Sequence, residues 1–100
     1  VTDARPDADA SYADASELLK ALAAPVRLAI IELLAVSPHC VHELVEALHC
    51  PQPLVSQHLR VLRAARLVTT SRRGREISYS LADAHVSAIV HAAVRHAQEG

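Results

Sequence analysis

Phe, Trp and Met are absent from this sequence, and Tyr12 and Tyr79 are its only aromatic residues besides histidine. Hydrophobic residues still make up 51% of the 100 positions, so any core has to be aliphatic: Leu, Ile, Val and Ala. A chain this short is small for a core of its own, and its excess apolar surface is consistent with an obligate dimer. Cys40 and Cys50 are the only cysteines. Two are too few for a disulfide framework and fit a reducing cytoplasm. No apolar run approaches the roughly 20 residues that a membrane-spanning helix needs. The opening stretch Val1–Ala10 is acidic and has no apolar centre, which is not a signal-peptide pattern. A Gly-rich phosphate loop and a nucleophile motif are also missing, so nothing suggests an enzyme.

A strong excess of either charge is lacking too. The formal net charge is -1, which by itself says nothing for nucleic acid. The distribution says more. Residues 1–20 carry five acids and two bases. From Leu54 to Leu81 there are six arginines (Arg60, Arg63, Arg66, Arg72, Arg73 and Arg75) against the single acid Glu76. Such a local cationic stretch is an electrostatic footprint for phosphate, although ordinary surface arginine has the same composition.

Taken in order, Val1–Ala10 reads as a flexible arm ahead of one domain over residues 11–100. Ser11 or Asp14 can cap a first helix running to about Ala23, with Leu18, Leu19 and Leu22 on one face. Ala24-Pro25 breaks it, and Pro25 suits the start of a second helix to about Ala35, with Ile30, Ile31 and Leu34 core-facing. Ser37-Pro38 marks a loop. A short third helix is predicted over Val41–Leu48. Cys50-Pro51-Gln52-Pro53 then turns the chain into a fourth, from Pro53 or Leu54 to Ala65. Its Leu54, Val55, Leu59 and Leu62 recur at helical spacing and read as core. Two short helices joined by a tight turn, the second basic on its outer face, form a helix-turn-helix pattern. A hairpin follows: Leu67–Ser71, a turn over Arg72–Arg75, then Glu76–Leu81 with Ile77, Tyr79 and Leu81 inward. Arginines at a hairpin tip behind a helix-turn-helix make a wing that can reach a minor groove or its phosphates. The expected fold is mainly α with a small β-hairpin, a winged helix-turn-helix.

The last helix, capped by Asp83 and running to Glu99, carries the pattern D-x-H-x10-H-x-x-E at Asp83, His85, His96 and Glu99. One helix cannot bring these four to one cation, because His85 and His96 are roughly 16 Å apart along the axis at 1.5 Å per residue. Their separation of three turns plus about 20° puts both imidazoles on one face. Two copies packed antiparallel about a two-fold axis solve the problem, with His85 of one facing His96 of the other. Both the His pair and the acid pair centre near Val90 and His91, flanked by the small residues Ala88, Ala92 and Ala93. The expectation is two symmetric inter-subunit sites per homodimer. Two imidazole nitrogens and two carboxylate oxygens suit tetrahedral Zn2+. Ni2+ or Co2+ would want five or six ligands, recruiting the arm or His91. A solvated face in a histidine-rich chain would show the same spacing.

Three stretches give the chain a likeness. Ala21-Leu22-Ala23-Ala24-Pro25-Val26-Arg27 leads into the second helix. The run Leu54-Val55-Ser56-Gln57-His58-Leu59-Arg60-Val61-Leu62, with Arg66-Leu67-Val68, spans the fourth helix and the first wing strand. The last-helix pattern is the third. From about Leu18 to Glu99 the chain resembles the ArsR/SmtB family of bacterial metal-sensing repressors. The resemblance implies a homodimeric winged-helix repressor, built on its first and last helices, that binds palindromic operator DNA and is released by metal. It implies base or phosphate contacts from Ser56, Gln57, His58 and Arg60, and wing contacts from Arg72, Arg73 and Arg75. A histidine at position 58 equally suits a helix interface. The resemblance further implies that metal-bound His96 uses its second ring nitrogen on a main-chain carbonyl at Arg66 or a neighbour. Members with a thiolate site carry Cys-x-Cys on the third helix. Here Cys40-Val41-His42 is a partial match, and the arm offers Asp3, Asp7 and Asp9 but no Cys or His. A second metal or thiol site at Cys40 and His42, or a redox role for Cys40 and Cys50, stays open beside Cys40 as a small buried hydrophobe. The pairs His39-Cys40 and His49-Cys50 lie at opposite ends of a helix rising roughly 12 Å, too far for one ion.

Overall fold

The structure, a computed structural model, describes residues 6–100, with side chains described from residue 11 onward. Five helices and three short strands follow in the order α1 (Pro6–Leu22), α2 (Pro25–Val36), β1 (His39–Cys40), α3 (Val41–Leu48), α4 (Gln52–Ala64), β2 (Val68–Arg73), β3 (Glu76–Leu81) and α5 (Ala84–Glu99). Helix α1 begins ahead of Ser11 and Asp14, at a proline that suits a first helical turn and runs on into helix-favouring alanines. Of the arm expected over residues 1–10, residues 1–5 lie outside the described part and residues 6–10 fall within α1.

The core is aliphatic. Ile30 and Ile31 of α2, Leu44 of α3, Val55, Leu59 and Leu62 of α4, and Val90 of α5 are essentially sealed from solvent. Helix α2 is the hub, packing on α3, α4, α5 and β3. Pro25 starts it at the first helical position, where its fixed φ suits a helix and its missing N–H leaves no intrahelical bond unmade; Ala24 ahead of it offers no side-chain cap.

Helix α3 ends on His49 in the left-handed conformation (φ 52°), and three residues later α4 begins. Pro51 accepts from the backbone N–H groups of Leu54 and Val55 and so starts α4. The turn is therefore tighter than Cys50–Pro53, since Pro53 belongs to the first turn of α4. Leu54 is not core: it is 40% exposed, about a quarter-turn from the stripe of Val55, Leu59 and Leu62.

The sheet has the order β1-β3-β2, antiparallel throughout. The wing turn is two residues, Gly74-Arg75, because Arg72 and Arg73 still pair with Ile77 and Glu76. Gly74 takes the left-handed backbone (φ 65°) that a two-residue hairpin turn requires. Tyr79 and Leu81 pack on the core, but Ile77, nearer the tip, is 38% exposed. Ser78 is buried instead, because β3 is the middle strand and Ser78 pairs with both Cys40 and Ser71. No helix among the described residues is long and apolar enough to cross a membrane.

Candidate nucleic-acid interface and metal-binding helix

The apolar stripe of α4 fixes which of its residues face out. With Val55, Leu59 and Leu62 buried, Gln57, Arg60 and Arg63 are exposed and Ser56 half-buried. Ser56, Arg60 and Arg63 sit one turn apart in succession, on one face. They border a cleft of about 520 Å³ whose other wall includes Tyr79 of β3. Among the described residues, Arg60, Arg63, Arg72 and Arg75 form no ion pair, so their guanidinium groups are open to a phosphate.

Two residues expected at this surface are engaged elsewhere. His58 turns toward α2, where Arg27 Nη1 donates to its Nδ1 at 3.0 Å. A guanidinium can only donate, so His58 is neutral there with its proton on Nε2. Burial, then the adjacent Arg27 charge, holds His58 below the ordinary histidine range. Arg27 in turn donates from Nε to the Ala21 carbonyl at 2.7 Å, tying α1, α2 and α4 together. Arg73 reaches back to α3, its Nη2 donating to Glu43 Oε1 at 2.7 Å and to Cys40 Sγ at 3.0 Å. No individual contact is expected from sequence for Arg27, Glu43 or Arg63, the last of which enters only as part of the cationic stretch. Glu43 has a local signal, the spacing of a capping box with Cys40 in the hydroxyl position. Arg63 follows from its one-turn offset from Arg60, whereas Arg27 has no local signal.

On α5 the four expected metal ligands separate by end. Asp83 caps the helix, its Oδ1 accepting the His85 backbone N–H at 2.8 Å and lying 3.1 Å from His85 Nδ1. His96 and Glu99 occupy the last turn, with Glu99 Oε2 3.6 Å from Arg95. Helical spacing places His85, Ile89, Ala92, His96 and Glu99 on one face, and all five are exposed. Val86 and Val90 face the core on the other side. At the level of the expected two-fold point, Val90 is therefore buried within its own subunit. His91 turns toward Glu32 of α2, at 3.7 Å. Among the described residues of one chain, no three ligating side chains converge. Beside this face, Leu19, Leu22, Ala23 and Leu28 meet Ile89, Val90 and Ala93 around an apolar groove of about 220 Å³. Tyr12 and Leu19 of α1 stand 75% and 54% exposed.

At the other proposed site, Cys40 is buried with Arg73 against its sulfur, and His42 Nδ1 lies 2.6 Å from Glu76 Oε2. Cys50 is buried separately, in the middle of the turn between α3 and α4.

The family model for bacterial regulatory proteins of the arsR family matches residues 24–70. The chain is 43% identical over 86 residues to the HTH-type transcriptional regulator NmtR of Mycobacterium tuberculosis, covering 86% of this chain and 72% of that protein. This chain belongs to the ArsR family. Within the family it is 64% identical over 85 residues to the HTH-type transcriptional repressor SmtB of M. tuberculosis, covering 85% of this chain. It spans 63% of that repressor's length. The solution structure of the homodimeric winged helix-turn-helix DNA-binding domain of Mb0332 from Mycobacterium bovis superposes with a TM-score of 0.83 at 26% identity. That match covers 95% of this ArsR-family chain and 88% of the other. NmtR and SmtB are transcriptional regulators, not enzymes.

Proposed function

We propose that this ArsR-family chain is a transcriptional repressor that binds operator DNA as a homodimer and is released by a divalent metal, zinc in our reading. The observation that carries the DNA reading is the row of Ser56, Arg60 and Arg63 on α4 together with Arg72 and Arg75 of the wing, which form no ion pair among the described residues. Gln57 and Ser56 have the donors and acceptors to read base edges, and Arg60 can read guanine or hold phosphate. Arg63, Arg72 and Arg75 supply phosphate contacts on either side. The apolar groove between α1 and α5, with Tyr12, Leu19 and Ile89 exposed beside it, supports dimerisation through these two helices.

The residues fit a metal by their chemistry. Asp83 and His85 already stand together at one end of an exposed helix face, and His96 and Glu99 share the other end. In an antiparallel dimer the first pair would meet the partner subunit's His96 and the partner's Glu99. Bound zinc would supply four-coordinate cross-linking of the two helices, with no open position for catalysis. Asp83 Oδ1 and His85 Nδ1 lie 3.1 Å apart, close to the separation of two atoms on one tetrahedral zinc, so His85 would ligate through Nδ1 on the same side as Asp83. His96 has a second nitrogen free to donate toward the main chain near Arg66, which leaves α4 in the left-handed conformation (φ 62°). Locking α5 in this way would hold the two α4 helices at a spacing wrong for consecutive major grooves. The coupling is then reciprocal, so DNA must weaken metal binding by the same factor.

The test is a titration of affinity for a duplex enriched by the protein from random-sequence DNA, with Zn, Co, Ni and Cd, on wild type and His96→Ala. Zinc should weaken wild-type binding and leave His96→Ala unaffected. Cobalt spectra separate a tetrahedral from an octahedral site. Unchanged wild-type affinity at saturating zinc would end the zinc reading, and failure to enrich any duplex would end the DNA reading.

A further inference from the structure

The base of the wing is fastened to α3. Arg73 and Glu76 face each other across the hairpin, either side of Gly74-Arg75. Each reaches α3: Arg73 makes an ion pair with Glu43 at 2.7 Å, and Glu76 Oε2 lies 2.6 Å from His42 Nδ1. Both N–H groups of Arg73 Nη2 are taken, one by Glu43 Oε1 and one by Cys40 Sγ. The same Glu43 oxygen accepts the Cys40 backbone N–H at 2.7 Å, which starts α3. The Cys40 N–H and then Arg73 hold the Glu43 carboxyl below the usual range. One carboxylate thus ties the first helix of the helix-turn-helix to the wing, and β1 adds main-chain pairing to β3 beside it.

We propose that Glu43 is a positioning residue for DNA binding: through Arg73 it fixes the wing against the helix-turn-helix, so that Arg72 and Arg75, not Arg73, hold phosphate. This rests on the DNA-binding reading above. A two-stranded ribbon is marginal by itself and loses freedom when it docks, so fixing it beforehand lowers the cost of binding. The sign of the effect separates this role from bulk electrostatics. Removing the Glu43 charge makes the protein less repulsive to DNA and by charge alone tightens binding. Removing the clamp weakens it.

The experiment measures affinity for the enriched, fluorescein-labelled duplex across a salt series, for wild type, Glu43→Ala, Glu43→Gln and Arg73→Gln. Glu43→Gln keeps an acceptor for the Cys40 N–H, so α3 still starts normally. Glu43→Ala is expected to weaken binding about two- to fivefold, the worth of one exposed ion pair, with an unchanged salt slope. Glu43→Gln should do the same to a lesser extent, because its amide still accepts from Arg73. Arg73→Gln should also leave the slope unchanged, whereas a lost phosphate contact would reduce it by about one. Amide hydrogen exchange of the metal-free, DNA-free protein should quicken at residues 72–76 in Glu43→Ala. Equal or tighter duplex binding by Glu43→Ala, a reduced slope in Arg73→Gln, or unchanged exchange at the wing overturns the proposal. If wild type binds no duplex, the DNA reading falls, whereas these outcomes with a binding wild type sink the clamp alone.

Discussion

Asp83 caps α5 and is proposed to bind metal, and two substitutions pull these roles apart. Its Oδ1 accepts the His85 N–H at 2.8 Å and so caps α5. In Asp83→Ala that acceptor is gone, which should cost about 1 kcal/mol of stability, within the usual spread for a lost helix cap. Asp83→Asn keeps an amide oxygen in the same place. It forfeits only the favourable placing of a negative charge at a helix N-terminus, about 0.3–1 kcal/mol and at the low end for an exposed group. Zinc adds the second comparison. A ligand at a hundredfold excess over its dissociation constant stabilises the folded state by about 2.7 kcal/mol. If Asp83 is a ligand, both variants lose most of that increment, although only Asp83→Ala loses the cap. The assay is urea unfolding followed by far-UV circular dichroism, with chelator and then with zinc. All samples must be at one protein concentration, because a dimer's stability depends on it. Equal destabilisation of the two variants in chelator would refute the capping account. Full zinc stabilisation of Asp83→Asn would refute the ligand account.

Three further outcomes are expected. Leu62→Ala, at a fully buried position of α4, should lose about 3 kcal/mol, read as a lower urea midpoint at unchanged slope. His58 is held below its ordinary value, so the unfolded chain takes up that proton first. Its contribution therefore makes stability rise with pH through the interval just below about 6.5 and fall on acidification through it. His58→Gln should flatten this interval in pH-dependent urea melts, and an identical profile would count against the Arg27–His58 contact. Arg60→Gln should weaken duplex binding and lower the slope of log affinity against log salt by about one, whereas an unchanged slope would remove Arg60 from the phosphate contacts.

The local features of the fold were legible because their signals are local. Pro25, the Val41–Leu48 stripe and the Asp83 cap are each read within a few residues, and the elements they start or fill stand where the sequence puts them. What escaped depends on distance in the chain. Strand β1 is two residues long, too short to show alternation, and exists only because β3 lies beside it. The wing turn is shorter than the sequence suggests: arginines resemble a loop, although cross-strand pairing holds Arg72 and Arg73 in β2. Leu54 has helical spacing but sits a quarter-turn away from the buried stripe, a difference that spacing resolves poorly. The exposed polar side of α4 follows from its periodicity. The partners of His58 and Arg73 did not, since Arg27 and Glu43 lie 31 and 30 residues away in the chain. The Asp83, His85, His96 and Glu99 pattern of α5 is visible in the sequence. One chain shows its two halves at opposite ends of the helix, so the proposed metal site needs a second copy.

The poverty in aromatic side chains has a practical consequence. With no tryptophan to mask it, ultraviolet emission comes from Tyr12 on the outer face of α1 and Tyr79 in the cleft beside Ser56, Arg60 and Arg63. Replacing Tyr12 with phenylalanine would leave a single native fluorophore lying between α4 and the wing. Quenching of that one residue would then register occupancy of the cleft without any attached dye.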